Sequence, residues 1–221
     1  NNGRDLYVRT LRGGQISLLV GICATAISLL IGVSYGAIAG YAGGRIDQVM
    51  MRMVDVLYAM PFMFFVILLM VLFGRNLLLM FIAIGAINWL DMARIVRGQT
   101  LSLKHREFVD AARALGVPAA GIIRRHIVPN MMNVVVVYAS LAVPQMILVE
   151  SFLSFLGLGV QEPMTSWGQL VSLGAREMES APWMLLFPAS FLAVTLYCLN
   201  VLGDALRRYN DALAGSLRGA A

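Results

Sequence analysis

Residues 13–44 read GGQISLLVGICATAISLLIGVSYGAIAGYAGG, and no charged side chain interrupts them. A helix needs about 20 apolar residues to cross a bilayer, so one helix over this stretch is long enough. Helices in lipid associate by close backbone approach along faces of small side chains. Such side chains recur every three or four residues, at Ser17, Gly21, Thr25, Ser28, Gly32, Gly36 and Gly40. We predict a membrane-spanning helix on which Gly32, Gly36 and Gly40 pack against another helix, from this chain or a partner subunit.

The rest of the chain also has the composition of a membrane protein. Of its 221 residues, 59% are hydrophobic and 13% are charged. Soluble domains are about 45–50% apolar and about 25% charged. We predict an all-α, polytopic membrane helix bundle that forms one domain over residues 1–221. Its five transmembrane helices are expected near residues 16–41, 61–73, 77–96, 134–156 and 183–202.

The N-terminal residues precede the first apolar run and carry several charges. They do not form a signal-peptide pattern, and the chain begins at Asn1 rather than at a methionine, so we expect further sequence before Asn1. Residues 1–15 alternate charged and apolar side chains, which favours an amphipathic segment on the outer face of the membrane; a solvated linker is the alternative. Cys23 and Cys198 fall inside predicted spans, where a lone thiol is usually a packing residue.

The net charge of +5 is best explained by membrane topology. Lys and Arg concentrate in the cytoplasmic segments of membrane proteins. If the residues before the first span lie outside, most of the 17 Lys and Arg residues lie inside. This distribution predicts that residues 98–130 and the C-terminus are cytoplasmic, and we expect no nucleic-acid partner.

The long hydrophilic segment, residues 98–130, is patterned rather than disordered. Apolar residues at helical spacing run from Leu101 to Leu115, and Gly116 follows as a helix stop. Pro118 is placed to open a second short helix, which we expect to end at Pro129. Two short helices joined by a tight turn would form a rigid lever beneath the membrane.

A partner surface can approach this lever closely at two small side chains, Ala111 and Ala112. The sequences DAARALG (110–116) and HIVP (126–129) resemble the EAA loop of bacterial ABC importer permeases. That pattern is Glu-Ala-Ala, three residues, Gly, nine residues, Ile, any residue, Leu-Pro. Asp110, His126 and Val128 replace its Glu, Ile and Leu here.

The resemblance extends over nearly the whole chain. It is to the dipeptide, oligopeptide and nickel family of binding-protein-dependent permeases, and within the peptide branch the pattern is similar to the C-type subunits. The matching stretches are GRD (3–5), GYAGG (40–44), RIVRGQ (94–99), HIVPN (126–130), SFLGLG (154–159) and LGD (202–204). Members of this group have one further N-terminal span.

The resemblance implies a pore-forming subunit of an ABC importer for oligopeptides or dipeptides in the bacterial inner membrane. Its partners would be a homologous B-type permease subunit, two cytoplasmic ATPase subunits and a periplasmic or extracellular peptide-binding protein. ATP and Mg²⁺ would bind to the ATPases, and this chain would hold no cofactor. The residues implied in ATPase coupling are Glu107, Asp110, Ala111, Ala112, Leu115, Gly116, Pro118, His126 and Pro129.

Other functions are harder to support from the residues present. Lys104 is the only lysine, no nucleotide-binding Gly-x-x-x-x-Gly-Lys precedes it, and no Gly-x-Ser-x-Gly occurs, so we expect no catalytic activity. His105 and His126 have no nearby cysteine, and we predict no metal site there. A permease for nickel or another small solute is the main alternative. An ATP-independent channel or secondary transporter would usually place several ionisable residues in its spans.

Glu150 is nearly alone as an ionisable residue within a predicted span. Such a residue indicates function, so it is a candidate for lining the translocation path or binding a peptide amine. Alternatively, it hydrogen-bonds to the backbone where the chain turns at residues 151–159. Asp91 and Arg94, three residues apart near a helix end, predict a local ion pair. Ser166 and Gln169 form a possible capping box for an outer helix at residues 167–178.

Overall fold

A computed structural model describes residues 5–73, 77–160 and 164–219, and this part of the chain is nearly all helical, with no strand. Three helical stretches in it are long and apolar enough to cross a bilayer: Leu6–Ala42, Ala119–Phe155 and Trp183–Ala212. The predicted all-α membrane fold is confirmed at this level. The helices are α1 (Leu6–Ala42), α2 (Gly44–Ala59), α3 (Phe62–Phe73), α4 (Leu77–Leu103), α5 (Glu107–Ala114), α6 (Ala119–Ile122), a π-helical turn (Ile123–Ile127), α7 (Val128–Phe155), α8 (Trp167–Arg176) and α9 (Trp183–Gly219).

Helix α1 lies at the centre and packs along α4 and α7. A Cβ added at Gly32 would lie 2.6 Å from the Cβ of Met92, and one added at Gly40 would lie 2.8 Å from the Cβ of Thr100. Gly36 faces the backbone of Ala93 just as closely. These contacts are possible because glycine has no side chain to keep the two backbones apart. The helix that covers the three glycines is therefore α4 of the same chain.

Helix α1 begins ten residues earlier than residue 16, where the first span was predicted to begin. Its N-cap is Asp5, whose Oδ1 accepts a hydrogen bond of 2.8 Å from the amide of Tyr7. The amphipathic segment predicted for residues 1–15 is thus the first turns of α1 from Leu6 onward, while residues 1–4 lie outside the described residues.

Helix α2 was not predicted. Its charged residues, which include Arg45 and Arg52, were interpreted only as signals of orientation. The apolar side chains between these charges recur at helical spacing. That pattern is typical of an amphipathic helix. Pro61 follows α2, and α3 begins at Phe62, which agrees with the predicted helix at residues 61–73.

Two expectations about residues 98–130 were wrong. Leu101 and Leu103 belong to the end of α4, so α5 is shorter than predicted. The second helix does not end at Pro129, because α6, the π-helical turn and α7 form one continuous helical stretch. In that turn the Val128 amide donates to the carbonyl of Ile123, five residues back. This wider turn accommodates the ring of Pro129. In a regular α-helix that ring would clash with the carbonyl four residues before it.

Helix α8 (Trp167–Arg176) confirms the helix predicted at residues 167–178, except for its last two residues. The Ser166 side chain accepts a hydrogen bond of 3.3 Å from the amide of Gln169, which caps α8 as expected. Helix α9 begins at Trp183, as predicted, but continues to Gly219 instead of ending near residue 202. Pro188 lies inside its second turn.

Candidate functional site

The segment that joins α5 to α6, which we call the α5–α6 hairpin (residues 107–122), is closed by a specific turn. The Gly116 amide donates to the carbonyl of Arg113 at 2.9 Å, and the Val117 amide donates to the carbonyl of Ala112 at 3.1 Å. This pair of bonds is a Schellman motif, which requires a left-handed residue after the helix. Gly116 supplies it with φ of 75°, so its predicted role as a helix stop is confirmed.

The hairpin is seated on the interior of the chain by one face of α5. Val109 and Ala112 are buried and pack in one hydrophobic cluster with Ala37, Ile122 and Ile127, which come from three other elements. The two alanines predicted to face a partner therefore lie on different faces of α5. Ala111 is exposed, whereas Ala112 faces the interior of its own chain, because only one side of a short helix can point outward.

Polar contacts add to this attachment. The Arg113 Nη1 lies 3.1 Å from Oδ1 of Asp110, and its Nε donates to the Tyr41 hydroxyl at 3.4 Å. Lys104, at the end of α4, donates from Nζ to the carbonyl of Gly40 at 3.0 Å. The Arg113–Asp110 pair is largely exposed and contributes little to stability on its own. The buried face of α5 is thus the principal attachment.

The opposite face of the hairpin is open. Leu115 at its tip is 83% exposed, and the Phe108 side chain is also exposed. An exposed apolar tip beside charged residues is typical of a surface that meets another protein. The other predicted coupling residues are exposed as well, except for buried Ala112 and half-buried His126: Glu107, Asp110, Ala111, Gly116, Pro118 and Pro129.

At the other end of the bundle, Glu150 is completely buried between α1, α7 and α8. Its Oε2 accepts a hydrogen bond of 2.8 Å from the Ser17 hydroxyl, and its Oε1 accepts one of 2.6 Å from the Ser154 hydroxyl. Ser151 and Ser166 also hydrogen-bond to this carboxyl. The Ser17 oxygen in turn accepts from the Trp167 amide, which links α8 to α1.

These partners show how the chain accommodates Glu150, and its role in the translocation path stays a prediction. The side chain does not line an open path in this structure, because it is enclosed by its own chain. Its partners include hydroxyl groups from Ser17 on α1 and Ser154 on α7. Sequence analysis missed this network because Ser17 and Glu150 are far apart along the chain. The only available signal was the excess of serines around Glu150.

A third polar region lies between α2 and α4, and the sequence did not reveal it. Arg94 pairs with Asp55 of α2 at 2.9 Å, so the local pair predicted with Asp91 is wrong. Arg97 pairs with Asp47 through two bonds of 2.5 and 2.6 Å. Two aspartates two helical turns apart on α2 therefore meet two arginines one turn apart on α4.

Together, the long apolar helices and the hairpin define a class: helical membrane proteins that expose a short helical hairpin with an apolar tip at one end. Residues 32–214 match the family described as binding-protein-dependent transport system inner membrane component. The chain belongs to this family, and the prediction made from its motifs is confirmed.

Several relatives are similar over nearly the whole chain. The oligopeptide transport system permease protein OppC of Haemophilus influenzae is 64% identical over 96% of this chain and 67% of that protein. OppC of Escherichia coli K12 is 62% identical over 96% of this chain and 70% of that protein. The dipeptide transport system permease protein DppC of Bacillus subtilis is 49% identical over 98% of this chain and 67% of that protein.

The fold also resembles a solved structure. A chain of the MetNI methionine ABC transporter, in an inward-facing conformation, superposes with a TM-score of 0.71 over 90% of this chain and 95% of that chain. The two sequences are 15% identical, so this similarity concerns the fold.

Proposed function

We propose that this chain is a pore-forming subunit of an ABC importer that takes up peptides. Family membership and the names of relatives that transport oligopeptides and dipeptides support the substrate class. The single structural observation that carries the proposal is the α5–α6 hairpin, seated by Val109 and Ala112 on the chain's own interior with Leu115 exposed at its tip. Such a hairpin can transmit force but cannot generate it.

In this proposal the membrane is crossed five times, by α1, α2 with α3, α4, α7 and α9. The hairpin and the C-terminus lie in the cytoplasm, as the distribution of Lys and Arg predicts. Helix α3 has 12 residues. At about 1.5 Å per residue it spans about 18 Å, so α2 must supply part of this crossing.

The hairpin would act as a lever on a cytoplasmic ATPase. Its exposed residues would enter a groove on the ATPase, with His126 and Pro129 at the base and Ala112 holding the hairpin from within. Closure of two ATPases around ATP would then move α4 and α7 as rigid bodies and change the side to which the path opens. ATP biases this equilibrium only through its different affinity for the two arrangements.

The remaining roles belong to partner subunits. A B-type permease subunit would complete the pore within the lipid bilayer, and a periplasmic or extracellular binding protein would deliver peptides. ATP and Mg²⁺ would bind to the ATPases, leaving this chain without a cofactor or catalytic site. No nucleic acid is involved in this scheme.

The test is ATP-driven peptide uptake by the complete transporter reconstituted in vesicles. Leu115→Glu places a charge at the apolar tip, and we expect it to abolish uptake and to weaken co-purification of the ATPases. Ser102→Glu adds the same charge at an exposed position in the last turn of α4 and should preserve both.

Normal uptake by the Leu115→Glu transporter would contradict the role of the hairpin. Peptide uptake by the wild-type protein without ATP would favour an ATP-independent channel or secondary transporter. Nickel transport in place of peptide transport would identify the alternative permease.

A further inference from the structure

A polar cavity of about 900 Å³ lies between α2 and α4. Its lining includes Gln48, Arg52 and Asp55 from α2, and Arg94 and Arg97 from α4. Three guanidinium groups thus border one space with a single carboxylate in its wall. Such a cavity attracts an anion through any guanidinium group that no carboxylate already neutralises.

Two of the three arginines are already paired. Arg97 is held by both carboxylate oxygens of Asp47. Arg94 pairs with Asp55, and its guanidinium carbon lies 4.3 Å from the ring centre of Tyr58. Arg52 is exposed and makes neither an ion pair nor a hydrogen bond to any residue that the structure describes. Arg52 is therefore the cation that remains available to a ligand.

In the proposed topology the cavity lies near the cytoplasmic end of α4. The short α3 leaves α2 to complete the crossing, with the break at Met60 and Pro61 between them. Arg94 lies about 26 Å along α4 from Leu77, close to the inner edge of a hydrocarbon core about 30 Å thick. This level is the inner mouth of the proposed path, and broken helices in transporters border binding sites.

We propose that this cavity is a contact site for the C-terminal carboxylate of an imported peptide, with Arg52 as the cation that pairs with it and Arg94 beside it. The inference rests on the proposed function and specifies the substrate group that is recognised. Peptides of different sequence share their backbone and terminal groups, and the α-carboxylate is the anion that nearly all of them carry. A guanidinium pairs with a carboxylate through two parallel hydrogen bonds, which makes arginine suited to this role.

The experiment compares two variants of the complete transporter in vesicles that contain phosphatidylglycerol. Arg52→Gln removes the available cation, and Arg45→Gln makes the same change at an exposed position of α2 outside the cavity. Uptake of trialanine and of trialanine amide is measured for each variant relative to the wild type. Because the binding protein is the same throughout, its own preference cancels in this ratio.

We expect Arg52→Gln to lower trialanine uptake about tenfold, the effect of losing a charge-assisted hydrogen bond, and to leave amide uptake near the wild-type level. Arg45→Gln should change neither. Equal losses for acid and amide, or no loss at all, would overturn the carboxylate assignment.

A lipid headgroup is the competing anion. If the effect of Arg52→Gln vanished in vesicles of phosphatidylcholine alone, the cavity would hold an anionic lipid and the proposal would be wrong. A wild-type transporter that imported no trialanine with ATP would instead contradict the proposed function, which separates the two failures.

Discussion

The two ends of the bundle use polar groups in opposite ways. Around Glu150, a buried carboxyl is surrounded by hydroxyl groups of the same chain, from Ser17, Ser151 and Ser154. At the α5–α6 hairpin, the charged groups are exposed and Leu115 has no cover within the described part of the chain. The comparison teaches that the Glu150 carboxyl finds hydroxyl partners within its own chain, whereas the hairpin end leaves an apolar tip exposed, as the proposed docking of another protein requires.

The largest effect is expected from Glu150→Leu. Leucine has a similar size but leaves the hydroxyls of Ser17 and Ser154 without their acceptor. Each unsatisfied buried group costs about 1–3 kcal/mol, so for two hydroxyls we expect a loss of about 2–6 kcal/mol in the free energy of unfolding. Glu150→Gln keeps one acceptor oxygen and should lose less. Thermal unfolding in detergent measures both, and equal stability of the leucine variant and the wild type would break the comparison.

A second pair of variants tests the two neighbouring alanines of α5 separately. Ala112→Leu overpacks the interior beneath the hairpin and should destabilise the protein by about 1–3 kcal/mol. Ala111→Leu, on the exposed face, should change stability by less than about 0.5 kcal/mol but weaken co-purification of the ATPases. If the two leucine variants behaved alike, the assignment of one inner and one outer face would be wrong.

A smaller effect on stability is expected from substitutions at the turn of the hairpin. No atom of the described residues lies within 4 Å of a Cβ added at Gly116, so in this part of the chain the constraint on Gly116 is its φ of 75°. Gly116→Val should cost about 1–2 kcal/mol because β-branched residues tolerate the left-handed region poorly. Gly116→Asn, which tolerates that region, should retain most of the stability and uptake. Losses of equal size for both variants would point to a contact with a partner at Gly116 instead of a backbone requirement.

The smallest effect is expected at Asp110. Its ion pair with Arg113 is exposed, so Asp110→Asn should change the free energy of unfolding by less than about 1 kcal/mol. Raising the salt concentration should shrink the difference further because screening weakens exposed pairs. Chemical denaturation at two ionic strengths tests this, and a salt-insensitive loss of several kcal/mol would show that the hairpin end is less open than its exposure indicates.

Much of the fold follows from local patterns along the chain. The charge-free run at residues 13–44 predicted α1, and Gly116 with Pro118 predicted the turn of the hairpin. Two of the failures are also local. Pro129 does not end a helix because the preceding π-helical turn accommodates its ring, and α2 was overlooked because its charges were counted without their helical spacing.

Composition, hydropathy and the positions of glycine and proline suffice for the helical membrane class, the family and the turn at Gly116, since each is a property of neighbouring residues. Packing in three dimensions settles other matters: that α4 covers Gly32, that Ser17 satisfies Glu150, and that Asp55 rather than Asp91 pairs with Arg94. A short-range pattern cannot contain these pairings, because their energies depend on distances between atoms that only the folded chain brings together.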